Sequence, residues 1–197
     1  RPIARTEFLT HIADIPDEIP FSELARLSFG DGDWTRLTFI NGIYSPDMSI
    51  LNDSAKDITI TNLSDGMKIQ PDLVKNHLSH YSDYKTKAFT ALNTSFVHDG
   101  ALVHIPDKLV VTEPIQILFL SAPQNHASVS HPRVLVVTGK NSQATIIEGY
   151  AGPQDTGYLT NSVTELVIGD GSNIKYYKTQ LQGQDSYHIT TTDVTLG

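Results

Sequence analysis

Residues 101–197 are a succession of short β-prone segments separated by turn-forming residues, and no segment with a helical period lies between them. A doubly wound α/β sheet needs a helix between consecutive parallel strands, so the sequence excludes that fold. Turns are indicated at Pro106-Asp107, Gly139-Lys140-Asn141, Gly152-Pro153 and Gly169-Asp170-Gly171. The predicted strands are Ala101–Ile105, Ile115–Leu120, Arg133–Thr138, Ala144–Glu148, Asn161–Ile168, Asn173–Gln180 and Tyr187–Leu196.

Two all-β layouts fit this succession: an antiparallel sandwich and a parallel β-helix in which each coil stacks on the last. Several strands carry apolar residues at successive positions, as in Val134–Val137 and Leu166–Ile168. Such continuous runs are typical of strands that are covered on both faces. The pattern alone does not choose between the two layouts.

The composition changes near residue 100, which predicts a boundary at Asp99-Gly100. Residues 1–100 contain 23 charged side chains against 13 in residues 101–197, whereas Val, Ile and Thr number 21 and 29. Fewer charges and more β-branched residues favour sheet in the second part. We therefore expect a mixed N-terminal region over 1–100 and a partial β-helix core over 101–197.

The N-terminal region is predicted to hold short strands and two helices. Leu37–Ile40 reads as a strand before an Asn-Gly turn, and Ile58–Ile60 as a strand closed by a turn at Ser64–Gly66. One helix is predicted to start at Pro71, and the next runs from about Tyr84 to Val97. The apolar stripe of the first comprises Leu73, Val74, His77, Leu78 and Tyr81, and that of the second Phe89, Leu92 and Phe96.

No set of residues predicts an active site. His126 and His131 lie five apart, with Asp185 and His188 further on, but without a third ligand at fixed spacing such histidines more often make local hydrogen bonds at the surface. Glu148 and Glu165 could be paired carboxylates for acid–base chemistry. Carboxylates that face water or accept hydrogen bonds from turn amides are the favoured interpretation. We predict no catalytic, cofactor-binding or metal-binding residue.

The remaining motifs are equally unspecific. Gly169–Ser172 lacks the Gly-Lys-Ser/Thr ending of a phosphate loop, so it is predicted to be a turn. Five tyrosines could form a sugar-stacking or protein-binding surface, or could cap the ends of a β-rich core. They are Tyr150, Tyr158, Tyr176, Tyr177 and Tyr187.

Composition excludes several classes of function. The net charge is −8 and no basic cluster longer than two residues occurs, so the chain would repel a phosphate backbone, which argues against nucleic-acid binding. No apolar run approaches the length of about 18 residues that spans a bilayer. The chain has no cysteine, which excludes disulfides and thiolate catalysis within it.

An ordered series of short motifs resembles the SufB/SufD family of iron–sulfur cluster assembly proteins over roughly residues 37–196. Glu148–Pro153 has a tyrosine where SufB-like chains carry cysteine, and His131-Pro132-Arg133 is absent from those chains, so the resemblance is closer to the SufD branch. The motifs are Phe39–Gly42, Ala91–Asn93, Asp99-Gly100, Val103–Pro106, Glu113–Ile115, His131–Leu135, Ala144–Glu148, Leu159–Glu165, Tyr176–Lys178 with Gln180, and Tyr187–Ile189.

The resemblance implies a mainly β fold: a right-handed parallel β-helix core preceded by a small mixed α/β region. It also implies a non-catalytic scaffold subunit that pairs with SufB and the ATPase SufC, in the cytoplasm or in a plastid stroma. In the family the SufC-binding helices and the histidine implicated in cluster assembly lie late in the chain. We therefore expect this chain to be a fragment truncated at its C-terminus, which binds no cluster itself.

Two further possibilities remain. A carbohydrate-binding or carbohydrate-active β-helix protein is the alternative function, with the tyrosines and the Glu148/Glu165 pair as its site. A homodimer is the alternative assembly, formed through an open edge at Tyr187–Leu196. For a stack of parallel coils, strand contacts are expected to join positions 20–30 residues apart.

Overall fold

A computed structural model describes residues 34–52, 56–122 and 127–197. The protein is mainly β, with a β-solenoid of about three turns. Its strands are β1 Thr35–Ile40, β2 Ile43–Tyr44, β3 Thr59–Asn62, β4 Gly100–Ile105, β5 Ile115–Leu120, β6 Ser128–Ser130, β7 Arg133–Thr138, β8 Gln143–Ala151, β9 Tyr158–Ile168, β10 Asn173–Leu181 and β11 Tyr187–Leu196. Its helices are α1 Leu63–Ile69, α2 Pro71–His77 and α3 Ala88–Phe96, with a short 3-10 helix at Pro46–Met48.

The strands form two sheets of mostly parallel strands, which confirms the predicted β-helix and rules out the sandwich. One sheet has the order β10-β8-β5-β1-β2 and the other β11-β9-β7-β4-β3. β8 pairs with β10 thirty residues later (Gln143↔Asn173), and β4 pairs with β7 at Gly100↔Arg133. The separation of Gly100 and Arg133 along the chain exceeds the expected range of 20–30 residues. The pairing of β1 departs further from this range, because β1 pairs with β5 at Thr35↔Ile115 and the helices lie between these strands in the sequence.

The main core fills the space between the two sheets. Because side chains alternate between the faces of a strand, every second residue points into this interior. In β7, Val134 and Val136 join the interior cluster, whereas Leu135 and Val137 pack on the outer side of the sheet. The continuous apolar run of β7 is thus explained by burial on both faces.

The outer face of the β4–β7 sheet is covered by α1 and α2. Leu63 and Val74 pack there against Leu102 and Leu135. The turn predicted at Ser64–Gly66 is wrong, since these residues lie within α1. Gly66 lets the helix approach the sheet closely, because a Cβ at this position would lie 2.6 Å from Cδ2 of Leu102.

The helix predicted over Tyr84–Val97 is present but shorter, and the side predicted to be buried faces solvent. The Asp83 carboxylate accepts hydrogen bonds from the amides of Lys85 and Thr86, which fixes a turn before α3 begins at Ala88. The apolar stripe of α3 faces outward, and its polar residues Thr90 and Asn93 are buried instead. Hydrogen bonding of the Asn93 side chain toward the sheet orients the helix, as described below.

The division predicted at residue 100 stays a prediction. β4 begins at Gly100, yet β1 from the predicted N-terminal region pairs with β5 of the solenoid. β10 and β11 are edge strands of the two sheets, as the proposed homodimer contact requires; that contact also stays a prediction. In the described part of the chain, no helix is long and apolar enough to cross a membrane.

Candidate functional site

Two buried polar networks lie on opposite faces of β9. Thr164 and Glu165 are neighbours in this strand and are both fully buried. Thr164 points into the solenoid and donates to Glu148 of β8. Glu165 points to the outer side, toward the segment that follows α2. The two carboxylates are therefore separated by the sheet itself.

The inner network is centred on the carboxylate of Glu148, which has no exposed surface. Tyr176 donates to it at 2.6 Å, Thr164 donates at 2.9 Å, and Tyr150 makes a third hydroxyl contact. The Lys178 ammonium lies 3.0 Å from Oε1 of Glu148. A buried carboxylate needs such partners, because desolvation of an unpaired charge costs several kcal/mol, on the order of 5.

The electrostatics of the inner network keep its tyrosines protonated. Burial, reinforced by the Glu148 charge, raises the pKa of Tyr176 and the pKa of Tyr150 well above the usual range. Both phenols therefore remain hydrogen-bond donors at neutral pH. Lys178 also donates to Thr190 at 2.7 Å, so its charge links β8, β10 and β11 across the last coil.

The outer network is centred on an ion pair between Arg133 and Glu165. Their atoms Nη2 and Oε2 are 2.6 Å apart, and the side chains are 1% and 0% exposed. Glu165 also accepts hydrogen bonds from the backbone amides of Ser79, Tyr81 and Ser82 at 2.8, 2.9 and 3.0 Å. The pair thereby fastens the segment after α2 to the sheet.

Asn93 of α3 completes the outer network. Its side-chain amide donates to the carbonyls of Pro132 and Asn161, both at 2.8 Å, and its carbonyl accepts from Arg133 at 3.2 Å. Asn161 in turn donates to the Phe89 carbonyl at 2.9 Å. These bonds explain why the polar side of α3 faces inward.

The sequence interpretation of the two carboxylates was half right. Glu165 does accept hydrogen bonds from turn amides, but Glu148 is an interior group and does not face water. Neither can serve as part of an accessible acid–base pair. Sequence reasoning missed the role of Arg133, although a lone charge next to the apolar run Val134–Val137 was an available signal.

The candidate metal ligands are not brought together in the described part of the chain. His126 lies outside the described residues. The Nδ1 atom of His131 accepts a hydrogen bond from Asn161 at 3.2 Å, and His188 meets the Tyr150 ring edge-on at 4.6 Å. Among residues 34–52, 56–122 and 127–197, no group of three His, Cys, Asp or Glu side chains could hold a metal ion.

The two histidines make the stability of the fold pH-dependent. Burial lowers the pKa of His131 and the pKa of His188 to about 4, with help from His98 and Lys178 respectively. Between the unfolded pKa of about 6.5 and the folded value, the unfolded state binds more protons. We therefore expect the melting temperature to fall as the pH is lowered from about 6.5 toward 4. The double variant His131→Gln/His188→Gln should show a flatter profile, and an unchanged slope would contradict this origin.

Most of the tyrosine cluster lies inside the protein. Tyr150 and Tyr158 are buried, and Tyr176 points into the solenoid, so the core interpretation holds for these three. Tyr177 directly follows Tyr176 in β10, so its side chain points to the other face of the strand, and it is 54% exposed. Gly169–Ser172 is a turn as predicted: Gly171 has a φ of +70°, and the Ser172 hydroxyl donates to the Gly139 carbonyl.

Comparisons with known proteins match almost all of the described chain to one family. The SufBD protein N-terminal region matches residues 31–117, and the SufBD core domain of the SUF iron–sulfur cluster assembly system matches residues 119–197. The two matches lie end to end along the sequence. They agree with the resemblance expected from the short motifs.

Individual relatives agree with this match. An iron–sulfur cluster assembly SufBD family protein of Synechocystis is 33% identical over 171 residues, which is 83% of this chain and 38% of that protein. The iron–sulfur cluster assembly protein SufD of Bacillus subtilis is 24% identical over 86% of this chain and 38% of its own length. A chloroplastic SufBD family protein of Arabidopsis thaliana is 28% identical over 62% of this chain and 22% of its own length.

The chain thus spans less than two fifths of the length of these relatives. Within that span, the parallel solenoid, the order of its motifs and the two consecutive family matches agree with one another. The chain belongs to the SufBD family of iron–sulfur cluster assembly proteins.

Proposed function

We propose that this chain is part of a SufD-type scaffold subunit for iron–sulfur cluster assembly. The observation that carries the proposal is the pair of consecutive SufBD matches over residues 31–117 and 119–197. The similarity to SufD of Bacillus subtilis supports the SufD branch. The whole protein would act in the cytoplasm or in a plastid stroma. The plastid location is suggested by the Arabidopsis thaliana relative, which is chloroplastic by name.

The chemistry of the buried groups supports a structural role. Glu148 and Glu165 are inaccessible, and each is saturated by hydrogen bonds and one cation. Such carboxylates stabilise a single arrangement of coils and helices but have no surface on which to meet a substrate. A non-catalytic scaffold uses this rigidity, because it must hold partner chains in fixed positions.

The ligand chemistry supports a shared site. Iron–sulfur clusters are held chiefly by cysteine thiolates, with histidine an occasional replacement. This chain contributes no cysteine, so thiolates would have to come from outside these 197 residues. We propose a SufB-type protein as their source and a SufC-type ATPase as the second partner of the whole protein.

Anaerobic reconstitution tests this function. With iron and sulfide, the chain alone is expected to show no stoichiometric bound iron and no cluster absorption in the visible range. When a SufB-type partner is added to the full-length protein, stoichiometric bound iron and cluster absorption should both appear. The full-length protein without the partner serves as the control. A stable chromophore with stoichiometric iron on the chain alone, lost on His131→Ala, would contradict the scaffold proposal.

The carbohydrate alternative has no support. Its proposed carboxylates are fully buried on opposite faces of β9, and the family matches point to cluster assembly. A glycosidase needs two carboxylates that flank one accessible bond. Glu148 and Glu165 are neither accessible nor placed on the two sides of one bond.

A further inference from the structure

The turn between β1 and β2 is built on the dipeptide Asn41-Gly42. Asn41 has a φ of +50° and Gly42 a φ of +86°, and the flanking residues Ile40 and Ile43 pair antiparallel. A tight two-residue hairpin requires two left-handed residues in succession, and Asn-Gly adopts them readily. The sequence contains nine asparagines, and Asn41 alone is followed by glycine. The fold thus explains a dipeptide that is also chemically labile.

Asparagine followed by glycine is prone to spontaneous deamidation. The backbone nitrogen of the following residue loses its proton and bonds to the side-chain carbon Cγ, the Cγ–Nδ2 bond breaks, and ammonia leaves. Water then opens the resulting five-membered imide at either carbonyl, which gives aspartate or isoaspartate. Glycine favours the first step because it has no Cβ to hinder the approach of its nitrogen. Water is the only co-reactant that the chain itself does not supply.

The folded chain engages both polar groups of the Asn41 side chain. Its Nδ2 atom donates to the Ala122 carbonyl at 3.1 Å, and its Oδ1 atom accepts from the Ala122 amide at 2.8 Å. The Asn41 amide also donates to the Leu120 carbonyl at 2.8 Å, and the residue is 8% exposed. These three hydrogen bonds, here called the Asn41 clasp, join the turn to the end of β5.

Closure of the imide ring requires the turn to open. The ring holds the Gly42 nitrogen nearly in one plane with Cβ and Cγ of Asn41, so the backbone of Asn41 must leave its left-handed conformation. That rotation separates the pair Ile40↔Ile43 that closes the hairpin. It also draws the side chain away from Ala122 and breaks the Asn41 clasp. The folded turn is therefore an unreactive arrangement of a reactive dipeptide.

We propose that Asn41 is a deamidation site of this chain, which the Asn41 clasp protects and which local opening of the β1–β2 turn exposes. β2 has two residues and lies at the edge of its sheet, so the turn can open while the solenoid stays folded. The rate of modification is then the rate in an open chain multiplied by the fraction of molecules whose turn is open.

Deamidation changes the turn irreversibly. The new carboxylate places an oxygen against the Ala122 carbonyl, where Nδ2 now donates at 3.1 Å, and an ionised carboxylate has no hydrogen to donate. Isoaspartate also adds one carbon atom to the backbone, which breaks the register of a two-residue hairpin. The β1–β2 end of the sheet should therefore loosen once Asn41 has reacted.

Peptide mapping by mass spectrometry measures the reaction in the whole 197-residue chain at a fixed, mildly alkaline pH. Asn41 should deamidate at least about tenfold more slowly in the folded chain than in urea that unfolds it, because only molecules with an open turn react. In the same urea, Gly42→Ala should slow the reaction, since a Cβ hinders the attacking nitrogen. Equal rates in the folded and unfolded chain, or no deamidation of Asn41 in urea, would overturn the proposal.

Urea below the unfolding transition distinguishes opening of the turn from unfolding of the whole chain. Local opening exposes little surface, so the deamidation rate of Asn41 should be nearly independent of urea in this range. A rate that rises as steeply as the unfolded fraction, or a reaction confined to unfolded molecules, would contradict control by the turn.

A variant that carries the aspartate product tests the Asn41 clasp directly. Asn41→Asp should lower the melting temperature by about 4 °C or more. Asn141→Asp is the matched control, because Asn141 also has a positive φ, +55°, but is exposed. It should shift the melting temperature by no more than about 2 °C. Equal shifts in the two variants would show that the clasp contributes nothing and cannot protect Asn41.

Discussion

Glu165→Gln is expected to lower the free energy of unfolding by about 3–5 kcal/mol, as is typical when one member of a buried ion pair is removed. The Arg133 guanidinium, 1% exposed, would keep its charge without the carboxylate 2.6 Å away. The amides of Ser79, Tyr81 and Ser82 would also lose their charged acceptor. Urea denaturation followed by circular dichroism measures the change.

A matched control is an exposed ion pair in the same protein. Lys140 and Asp170 lie 2.7 Å apart, yet their side chains are 65% and 55% exposed. Asp170→Asn should therefore cost no more than about 1 kcal/mol. A second variant, Arg133→Met/Glu165→Leu, removes both charges and should recover part of the loss. If Glu165→Gln costs no more than Asp170→Asn, the outer network does not hold the helices to the solenoid.

Glu148→Leu is expected to have an effect of similar size, about 3–5 kcal/mol, because Lys178 would be left without its buried partner. The hydroxyls of Tyr150, Tyr176 and Thr164 would lose the acceptor that they share. Since these donors belong to β8, β9 and β10, the loss should loosen the packing of the last coils. Hydrogen exchange of the β10 and β11 amides should therefore accelerate more than that of β4.

A smaller change in the same network calibrates this prediction. Tyr176→Phe removes one hydrogen bond to a charged group and should cost about 1.5–3 kcal/mol. The losses from Tyr176→Phe and Glu148→Leu should not add in the double variant, because both remove the same contact. Full additivity would show that Glu148 and Tyr176 are energetically independent, contrary to their 2.6 Å hydrogen bond.

The strands and turns of the solenoid could be predicted from sequence because they depend on neighbouring residues. All seven strands predicted between residues 101 and 197 are present, since β-branched runs ended by Gly, Pro and Asn are local signals. The motifs that resemble the SufBD family could be identified for the same reason. The pattern of strands and turns could not decide between a sandwich and a β-helix, because that choice depends on which distant strands pair.

The tertiary structure alone decided which way the side chains of β9 and α3 face. Thr164 meets Glu148 and Glu165 meets Arg133 because each pair joins strands from different coils, a placement that no local pattern encodes. For α3, the apolar period of Phe89, Leu92 and Phe96 predicted a helix correctly. The buried side instead holds Asn93, which donates to carbonyls 39 and 68 residues away, and leaving such buried carbonyls without donors would cost about 1–3 kcal/mol each.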